Sequence, residues 1–188
     1  MITTTIKEQD LHFKTSEDVF SPDHIDQGTL TMLSKVDFTE NDRVLDLGCG
    51  YGVVGILAAK MVSPKNVVMV DISNDALELA RENLIINDVT DVSIYQSDGF
   101  KDFHESDFTV ILSNPPYHVD FNVPKSFIEK GFNRLRVGGK MYLVTKRKEW
   151  YKNKMIHIFG GVKIWEENGY FVFMSIKNTI TYANAKRK

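Results

Sequence analysis

The sequence contains a single cysteine, Cys49, among its 188 residues. One cysteine excludes an intramolecular disulfide and is typical of a protein that works in a reducing cytoplasm. Histidine and cysteine nowhere occur together at the spacing of a metal site, so we expect no structural metal ion. The sequence therefore does not support a fold held together by disulfides or zinc.

Long apolar runs are also missing. The longest, such as Val-Val-Met-Val at residues 67–70, are far too short to cross a bilayer, and the first ten residues lack the apolar core of a signal peptide. The composition, 43% hydrophobic and 26% charged, is that of an ordinary globular protein. We expect one cytoplasmic domain over residues 1–188, with a leading strand or hairpin at 1–19, a basic tail at 186–188 and no membrane partner. The oligomeric state stays open.

Charge is unevenly distributed along the chain, although the net charge is only −2. Residues 1–124 carry 8 Lys and Arg against 21 Asp and Glu, a net charge of −13, whereas residues 125–188 carry 15 against 4, a net charge of +11. Such asymmetry indicates a surface that faces a polyanion. The alternative is that the basic residues are scattered over solvated faces, which the folded distribution decides.

Strand and helix patterns alternate through the centre of the chain. We expect strands at residues 43–47, 66–71, 92–95, 108–112 and 140–145, and helices at 26–36, 53–61, 126–135 and 148–159. A further helix begins near Asn74 or Asp75, either of which can cap it, and Gly138-Gly139 is expected to end the helix at 126–135. This alternation predicts an α/β fold with a doubly wound, mostly parallel sheet.

The last two predicted strands, at residues 162–165 and 170–175, flank Asn168-Gly169, which is a strong hairpin signal. A parallel sheet that closes with an antiparallel hairpin is not the arrangement of NAD-binding domains. It is typical of the seven-stranded, Rossmann-like sheet of methyltransferases that use S-adenosylmethionine (SAM).

A glycine turn, Asp46-Leu-Gly-Cys-Gly-Tyr-Gly52, lies between two apolar runs and predicts a strand, a tight turn and a helix. Glycines at alternate positions let a ligand approach the backbone closely, and we expect N–H groups near Gly48 and Gly50 to face it. The rival interpretation, a dinucleotide site, requires glycine at position 53, where the chain has valine. SAM is therefore favoured over NAD.

The tetrapeptide Asn114-Pro115-Pro116-Tyr117 follows the strand at 108–112 and is the candidate catalytic loop. The amino group of a base is a poor nucleophile, because its lone pair is delocalised into the ring. The lone pair must therefore be directed at the methyl group that is transferred. The Asn114 side-chain oxygen and the Pro115 carbonyl can each accept one N–H and so position the nitrogen. The prolines stiffen the loop, and Tyr117 offers a flat face to an extruded base. Alternatively, the prolines merely end the strand.

Seven segments carry a family resemblance. They are residues 20–22, 26–29, 44–52, 70–73, 97–99, 114–118 and 138–144. On these motifs the chain resembles the small-domain class I methyltransferases, close to the catalytic domain of bacterial ribosomal RNA guanine-N2 methyltransferases, over roughly residues 11–177. The resemblance implies SAM as the cofactor and RNA as the partner, with methylation of guanine N2 in ribosomal RNA. Two-domain relatives have an additional N-terminal domain, which we expect this chain to lack.

The candidate cofactor-binding residues follow the ends of the predicted strands. They are Asp46, Gly48, Cys49, Gly50, Asp71, Ile72, Asp98, Gly99 and Asn114. Asp46 is placed to hold the cofactor's ammonium group, Asp71 to accept from both ribose hydroxyls, and Asp98 to accept from the adenine amino group. Asp71 could instead merely lead a helix, and Asp98-Gly99 could be an ordinary turn. Cys49 is interpreted as a small packing residue within the turn.

Further contacts are suggested at the edges of the site. The resemblance implies that Phe20, Asp26, Gly28 and Thr29 close over the methionine end of the cofactor. Cations mixed with aromatic residues predict RNA contacts for Lys146, Arg147, Lys148 and Trp150, unless this is a solvated helix start with Trp150 packed inward. His118 could accept a proton, touch a phosphate or be a plain loop residue.

Several functions share the Asn-Pro-Pro-Tyr tetrapeptide. The alternatives to guanine N2 are adenine N6 and a protein glutamine, and a non-catalytic SAM-binding or RNA-binding module is also possible. An intact tetrapeptide counts against a pure binding module, which needs no loop to orient an amine. The basic C-terminal third counts against a peptide glutamine, and the short N-terminus counts against a DNA substrate.

Overall fold

The computed structural model describes residues 1–18 and 21–184. The strands are β1 (Ile2–Ile6), β2 (Gln9–Phe13), β3 (Val44–Leu47), β4 (Val67–Asp71), β5 (Ser93–Gln96), β6 (Phe108–Ser113), β7 (Leu135–Thr145), β8 (Lys163–Glu167) and β9 (Tyr170–Ile176). The helices are α1 (Gln27–Lys35), α2 (Val53–Met61), α3 (Asn74–Ile86), α4 (Asn122–Arg134) and α5 (Glu149–Phe159). Phe20 and the basic tail at 186–188 lie outside the described residues.

Seven strands form one sheet in the order β5-β4-β3-β6-β7-β9-β8. The first five are parallel, whereas β9 runs antiparallel to β7 and β8 antiparallel to β9. The strand order reverses between β3 and β6, and open α/β sheets bind ligands in the crevice at such a switch point. The predicted fold class, a doubly wound and mostly parallel sheet closed by an antiparallel hairpin, is confirmed.

Both faces of the central strands are buried, which explains their nearly continuous apolar sequences. Along β3, Val44 packs with α1, α2 and α3 on one face, whereas Leu45 and Leu47 pack with α4 and α5 on the other. At the end of the sheet, Asn168 and Gly169 have φ values of 54° and 77°, the conformation that a two-residue hairpin turn requires. No helix in the described part of the chain is long and apolar enough to cross a membrane.

The start of α4 and the role predicted for Gly138-Gly139 need correction. Helix α4 begins at Asn122 rather than 126, because its first turn tolerates Pro124: N–H groups there have no partner within the helix. Gly138 and Gly139 lie inside β7 and do not end α4. Gly138 has a φ of +88°, and a Cβ on Gly139 would lie 2.9 Å from the Arg136 carbonyl oxygen. The glycines thus accommodate the register shift where β7 pairs with β6.

The cap of α3 also differs from the prediction. Ser73, not Asn74 or Asp75, is the N-cap residue, and its hydroxyl accepts the N–H of Ala76 at 3.2 Å. Serine reaches this backbone donor because its short side chain folds back over the first turn. The helix consequently begins right after the loop that follows β4.

The β1–β2 hairpin is joined to the rest of the protein by Asn83 of α3 and by Asn87, the C-cap residue of that helix. Asn83 accepts the N–H of Lys14 at 2.7 Å and donates to the Lys14 and Tyr51 carbonyls at 3.0 and 2.9 Å. Asn87 accepts the N–H of His12 at 3.0 Å and donates to its carbonyl at 2.7 Å. These amides pair with the β2 edge as a neighbouring strand would. Through Tyr51, Asn83 also ties the hairpin to the glycine turn.

Replacing Asn83 by alanine should strongly destabilise the fold. Asn83 is fully buried, and the substitution leaves three backbone groups without their partner. We expect the free energy of unfolding to fall by about 2–4 kcal/mol in urea titrations, since each stranded buried group costs roughly 1–3 kcal/mol. Asn74→Ala is the control, because that side chain is exposed and hydrogen-bonds the exposed side chain of Glu78. Equal stability of the two variants would contradict this role.

Candidate active site

A cavity of about 390 Å³ opens at the carboxyl edge of β3, β4, β5 and β6. All of the sequence-predicted cofactor and catalytic residues line it: Asp46, Gly48, Cys49, Gly50, Asp71, Ile72, Asp98, Gly99, Asn114, Pro115, Pro116 and Tyr117. These residues converge because parallel strands end at the same edge of a sheet. The start of α1 adds Asp26 and Thr29 to the wall.

The glycine turn is tied to β4 by its own backbone. The N–H of Gly48 donates to the Val70 carbonyl at 2.8 Å, and the N–H of Gly50 donates to the Asp71 carboxylate at 2.8 Å. These two N–H groups thus have hydrogen-bond partners within the protein, and the predicted contacts with a cofactor would fall to other N–H groups of the turn. The turn is nevertheless open to a ligand, since a Cβ at Gly48 or Gly50 would meet no described atom within 4 Å.

Asp46 is a buried carboxylate at the base of the cavity. One of its oxygens accepts the N–H of Gly55, in the first turn of α2, at 2.8 Å. Burial, with a smaller contribution from the nearby Asp71, raises the pKa of Asp46 to about 7, against the lowering effect of that hydrogen bond. A cationic group in the cavity would favour the ionised form, which supports the predicted role for Asp46 toward an ammonium group.

Cys49 lies in the same turn and is buried. Burial raises its pKa well above the ordinary value, with a further contribution from Asp46 and Asp71. Since the thiolate and not the thiol is the nucleophile, this environment makes the cysteine unreactive. The interpretation of Cys49 as a packing residue is consistent with its position.

Asp71 ends β4 with each carboxylate oxygen accepting one backbone N–H. The donors are Gly50, at 2.8 Å, and Ser73, at 2.9 Å. Because an ionised carboxylate has about four acceptor positions, each oxygen can accept one more hydrogen bond. Two hydroxyl groups of a ribose match that remaining capacity. Ile72, beside it on the cavity wall, is 63% exposed and offers an apolar surface.

The loop after β5 forms the far wall of the cavity with α4. Asp98 is exposed there, and Gly99 has a φ of +56°. A Cβ on Gly99 would lie 2.9 Å from the ring of Phe127, so this turn needs glycine for both its conformation and its close approach to α4. Asp98-Gly99 is thus a constrained turn that directs an acidic side chain at the cavity.

Asn114 follows β6 and has a fixed side-chain orientation. Its Nδ2 donates to Asp26 Oδ2 at 2.9 Å and to Thr29 Oγ1 at 3.1 Å. Its Oδ1 is buried and has no hydrogen-bond partner among the residues that the structure describes. An acceptor of this kind is costly to leave unsatisfied. The amide is therefore arranged to receive a donor that residues 1–18 and 21–184 do not supply.

Tyr117 is half-buried rather than freely exposed. Its ring lies 6.0 Å from Lys146 Nζ, which is also 5.1 Å from the ring of Tyr170. Burial, the nearby Asp26 and Tyr170 raise the pKa of the Tyr117 hydroxyl, so it remains protonated. His118, the next residue, is exposed on the same loop.

The predicted RNA-contact residues lie beside the candidate catalytic loop but do not line the cavity. The guanidinium of Arg147 is 5.1 Å from the ring of Phe121, and Trp150 stacks on that ring at 4.6 Å. Lys148 Nζ is 5.6 Å from the ring of Phe171. Trp150 is half-buried, so the inward packing considered as its alternative is partly realised.

Sequence reasoning missed Phe121, which is 37% exposed and joins Arg147 to Trp150. Its position three residues after His118 could have marked it as part of the same loop. Gly28 does not line the cavity: it packs under Tyr170, whose ring would lie 2.6 Å from an added Cβ.

The basic residues of the C-terminal third do not all share one surface. Lys154 pairs with Glu129, and Lys177 is buried, with its ammonium donating to the Phe132 and Leu135 carbonyls at 2.8 Å. The cluster of Lys146, Arg147 and Lys148 beside the cavity therefore accounts for part of the net positive charge of residues 125–188. Within residues 1–18 and 21–184, no group of three His, Cys, Asp or Glu side chains is placed to hold a metal ion.

A doubly wound sheet with a glycine turn after its central strand and acids after the neighbouring strands defines the Rossmann-like methyltransferase fold. The model of the methyltransferase small domain family matches residues 10–175, so the chain belongs to this family. The resemblance stated from the sequence motifs is confirmed.

The relatives differ in length. The uncharacterized protein YbxB of Bacillus subtilis is 29% identical over 178 residues, 92% of this chain and 89% of the relative. Ribosomal RNA small subunit methyltransferase C of Haemophilus influenzae is 35% identical over 164 residues, 85% of this chain and 49% of the relative. The Thermus thermophilus 16S rRNA N2 G1207 methyltransferase, RsmC, solved with AdoMet (SAM) and guanosine, has a TM-score of 0.84 at 25% identity.

That solved structure aligns with 94% of this chain and 50% of its own. The chain therefore spans about half the length of the two relatives that are named for ribosomal RNA, and nearly all of YbxB.

The raised pKa of Asp46 predicts how pH changes stability without a ligand. A folded-state pKa near 7, above the unfolded value of 3.8, means that stability is lost as pH rises between these values. Asp46→Asn keeps an acceptor for Gly55 but removes the charge. We expect the free energy of unfolding of Asp46→Asn, relative to that of the wild type, to rise by roughly 2–3 kcal/mol between pH 5 and pH 8. Urea unfolding at the two pH values measures this difference. Asp98→Asn controls for a lost cavity charge, and a pH-independent difference for Asp46→Asn would contradict the assignment.

Proposed function

We propose that this chain is a methyltransferase that moves a methyl group from SAM to an exocyclic amino group, guanine N2 of ribosomal RNA. The observation that carries the proposal is the Asn114 amide, whose nitrogen is held by Asp26 and Thr29 and whose buried oxygen has no partner in the described part of the chain. This oxygen lies at the sheet edge shared with the glycine turn. An amine N–H is the donor that it lacks.

The residues of the cavity fit SAM. Asp71 has acceptor capacity for two ribose hydroxyls, and Ile72 offers an apolar surface for adenine. Asp98 and Gly99 would recognise the adenine edge, and Asp46 would hold the ammonium group. Gly48, Cys49 and Gly50 form the open turn against which the ligand lies. When bound, SAM would supply a methyl carbon attached to a positively charged sulfur: the nitrogen lone pair would form the new N–C bond as the C–S bond breaks, the neutral thioether would leave, and the methylated nitrogen would lose its extra proton to solvent.

The chain's own contribution to the reaction is positioning. Asn114 Oδ1 and the Pro115 carbonyl each accept one N–H of the target amine, which leaves the nitrogen lone pair directed at the cavity. Pro115 and Pro116 hold the loop stiff, because proline fixes φ. Tyr117, with its ring against Lys146, borders the position of the base. No strong base is required before the transfer, since the neutral amine is the nucleophile.

Three observations support ribosomal RNA over the other amine substrates. A relative 35% identical to the chain is named ribosomal RNA small subunit methyltransferase C. The structurally similar T. thermophilus enzyme was solved with guanosine. Lys146, Arg147, Lys148 and Trp150, the proposed RNA contacts, lie beside the catalytic loop and provide cations and an aromatic face. Methylation of adenine N6 or of a protein glutamine has no comparable support. We expect the protein to work in the cytoplasm.

Deleting the gene should remove one N2-methylguanosine from ribosomal RNA. Re-expression of the wild type should restore it, whereas Asn114→Ala should not, because the acceptor that orients the amine is gone. Nucleoside mass spectrometry of purified ribosomal RNA measures the modification. Asn133→Ala, at an exposed asparagine of α4, controls for expression and should restore the nucleoside. An unchanged nucleoside profile after deletion would remove the RNA assignment.

Asp71→Ala should weaken SAM binding by about 1–3 kcal/mol, the usual cost of stranding hydrogen-bonding groups. Isothermal titration calorimetry of SAM into the purified variant measures the change. Asp75→Ala removes a nearby exposed acid from the first turn of α3 and is the matched control. If both variants bind SAM as tightly as the wild type, Asp71 does not hold the ribose.

A further inference from the structure

We infer that Asp26 is a positioning residue, which fixes the Asn114 amide so that only its carbonyl oxygen is presented to the substrate. The inference rests on the proposed function and deepens it, because it names the group that makes the site select an N–H donor. The two residues are 88 positions apart in the sequence and meet where α1 begins beside the end of β6.

Asp26 is the N-cap residue of α1 and is 9% exposed. Its Oδ2 accepts two hydrogen bonds of 2.9 Å, from the N–H of Thr29 and from Asn114 Nδ2. Its Oδ1 lies 3.5 Å from the Tyr170 hydroxyl, which donates to it. The Asp26 carboxylate thus caps α1 and hydrogen-bonds the Asn114 side chain at the same time.

Both hydrogens of the Asn114 amide are consumed by the protein. One is donated to Asp26 and the other to Thr29 Oγ1 at 3.1 Å. The amide nitrogen has two N–H donors, so it has none left for a substrate. The remaining function of the side chain is the acceptor Oδ1, which has no partner within the described chain.

Asp26 also excludes the reversed amide. Rotating the Asn114 amide by half a turn would place Oδ1 against the Asp26 carboxylate, acceptor against acceptor, and would strand the buried NH₂ group. Thr29 cannot discriminate in this way, because a hydroxyl either donates or accepts. The carboxylate, which only accepts when ionised, is the group that determines the orientation.

Two substitutions separate this role from helix capping. Asp26→Ser keeps a good N-cap for Thr29, but its side chain is too short to reach Asn114. Asp26→Asn keeps an oxygen that can accept from both Thr29 and Asn114, while its NH₂ group faces the Tyr170 hydroxyl. The serine variant therefore loses only the hydrogen bond to the Asn114 amide. The asparagine variant keeps that hydrogen bond and serves as the conservative control.

With ribosomal RNA from gene-deleted cells as substrate, we expect Asp26→Ser to lower kcat by about 10- to 100-fold, the usual penalty for a misplaced reacting group. SAM affinity by calorimetry should stay within about three-fold of the wild type, and Asp26→Asn should retain most of kcat. An unchanged kcat for Asp26→Ser would overturn the inference. A loss of SAM affinity with kcat preserved would do so too, since Asp26 would then be a cofactor contact.

A second measurement does not depend on the substrate. In NMR spectra of the wild type, the side-chain NH₂ protons of Asn114, assigned by their absence in Asn114→Ala, should be protected from hydrogen exchange. Protection should be lost in Asp26→Ser and kept in Asp26→Asn. Equal protection in all three proteins would refute the positioning role. If the NMR pattern holds while wild-type protein methylates no RNA, the proposed function fails and the Asp26–Asn114 arrangement stands.

Discussion

The site depends on the pairing of β3 with β6. Their parallel ladder sets Leu45 beside Ile111 and Asp46 beside Leu112, so the loops that follow both strands emerge at one edge. The Ser113 hydroxyl then donates to the Leu47 carbonyl at 2.7 Å, at the last residue of each strand. Gly48, the first glycine of the turn, follows Leu47 directly, and Asn114 follows Ser113 directly. The two loops are therefore adjacent because of how the strands pair.

The uneven charge of the sequence follows the halves of this sheet. The elements β3 to β6, whose strand ends surround the cavity, belong to the acidic part, and the cavity contains Asp26, Asp46, Asp71 and Asp98. SAM carries an ammonium and a sulfonium, so an acidic cavity is suited to it. The basic part begins in α4, and Lys146, Arg147 and Lys148 extend from β7 beside the candidate catalytic loop. Under the proposed function, the acidic cavity would suit the cationic cofactor and this basic cluster would suit an anionic polymer.

Most of the fold was predictable because apolar periodicity and strand–helix alternation are local properties of the sequence. Helix α2 was predicted with its observed bounds, and the residues that line the cavity follow from the strand ends. What was missed depends on contacts between distant segments. No local sequence pattern indicates these contacts: Asp26 hydrogen-bonds Asn114, the Gly48 N–H pairs with Val70, and Phe121 stacks on Trp150. The Gly138-Gly139 pair was misread because a strand irregularity and a helix end use the same residues.

The bonds that join the glycine turn to β4 have a thermodynamic consequence for ligand recognition. With Gly48 held by Val70 and Gly50 by Asp71, this backbone has already given up its conformational freedom when the chain folds. An incoming ligand then does not have to order it, and less of the interaction energy is spent on entropy at the moment of association. The conformational entropy of this turn is therefore lost when the protein folds, and its loss does not weaken cofactor binding.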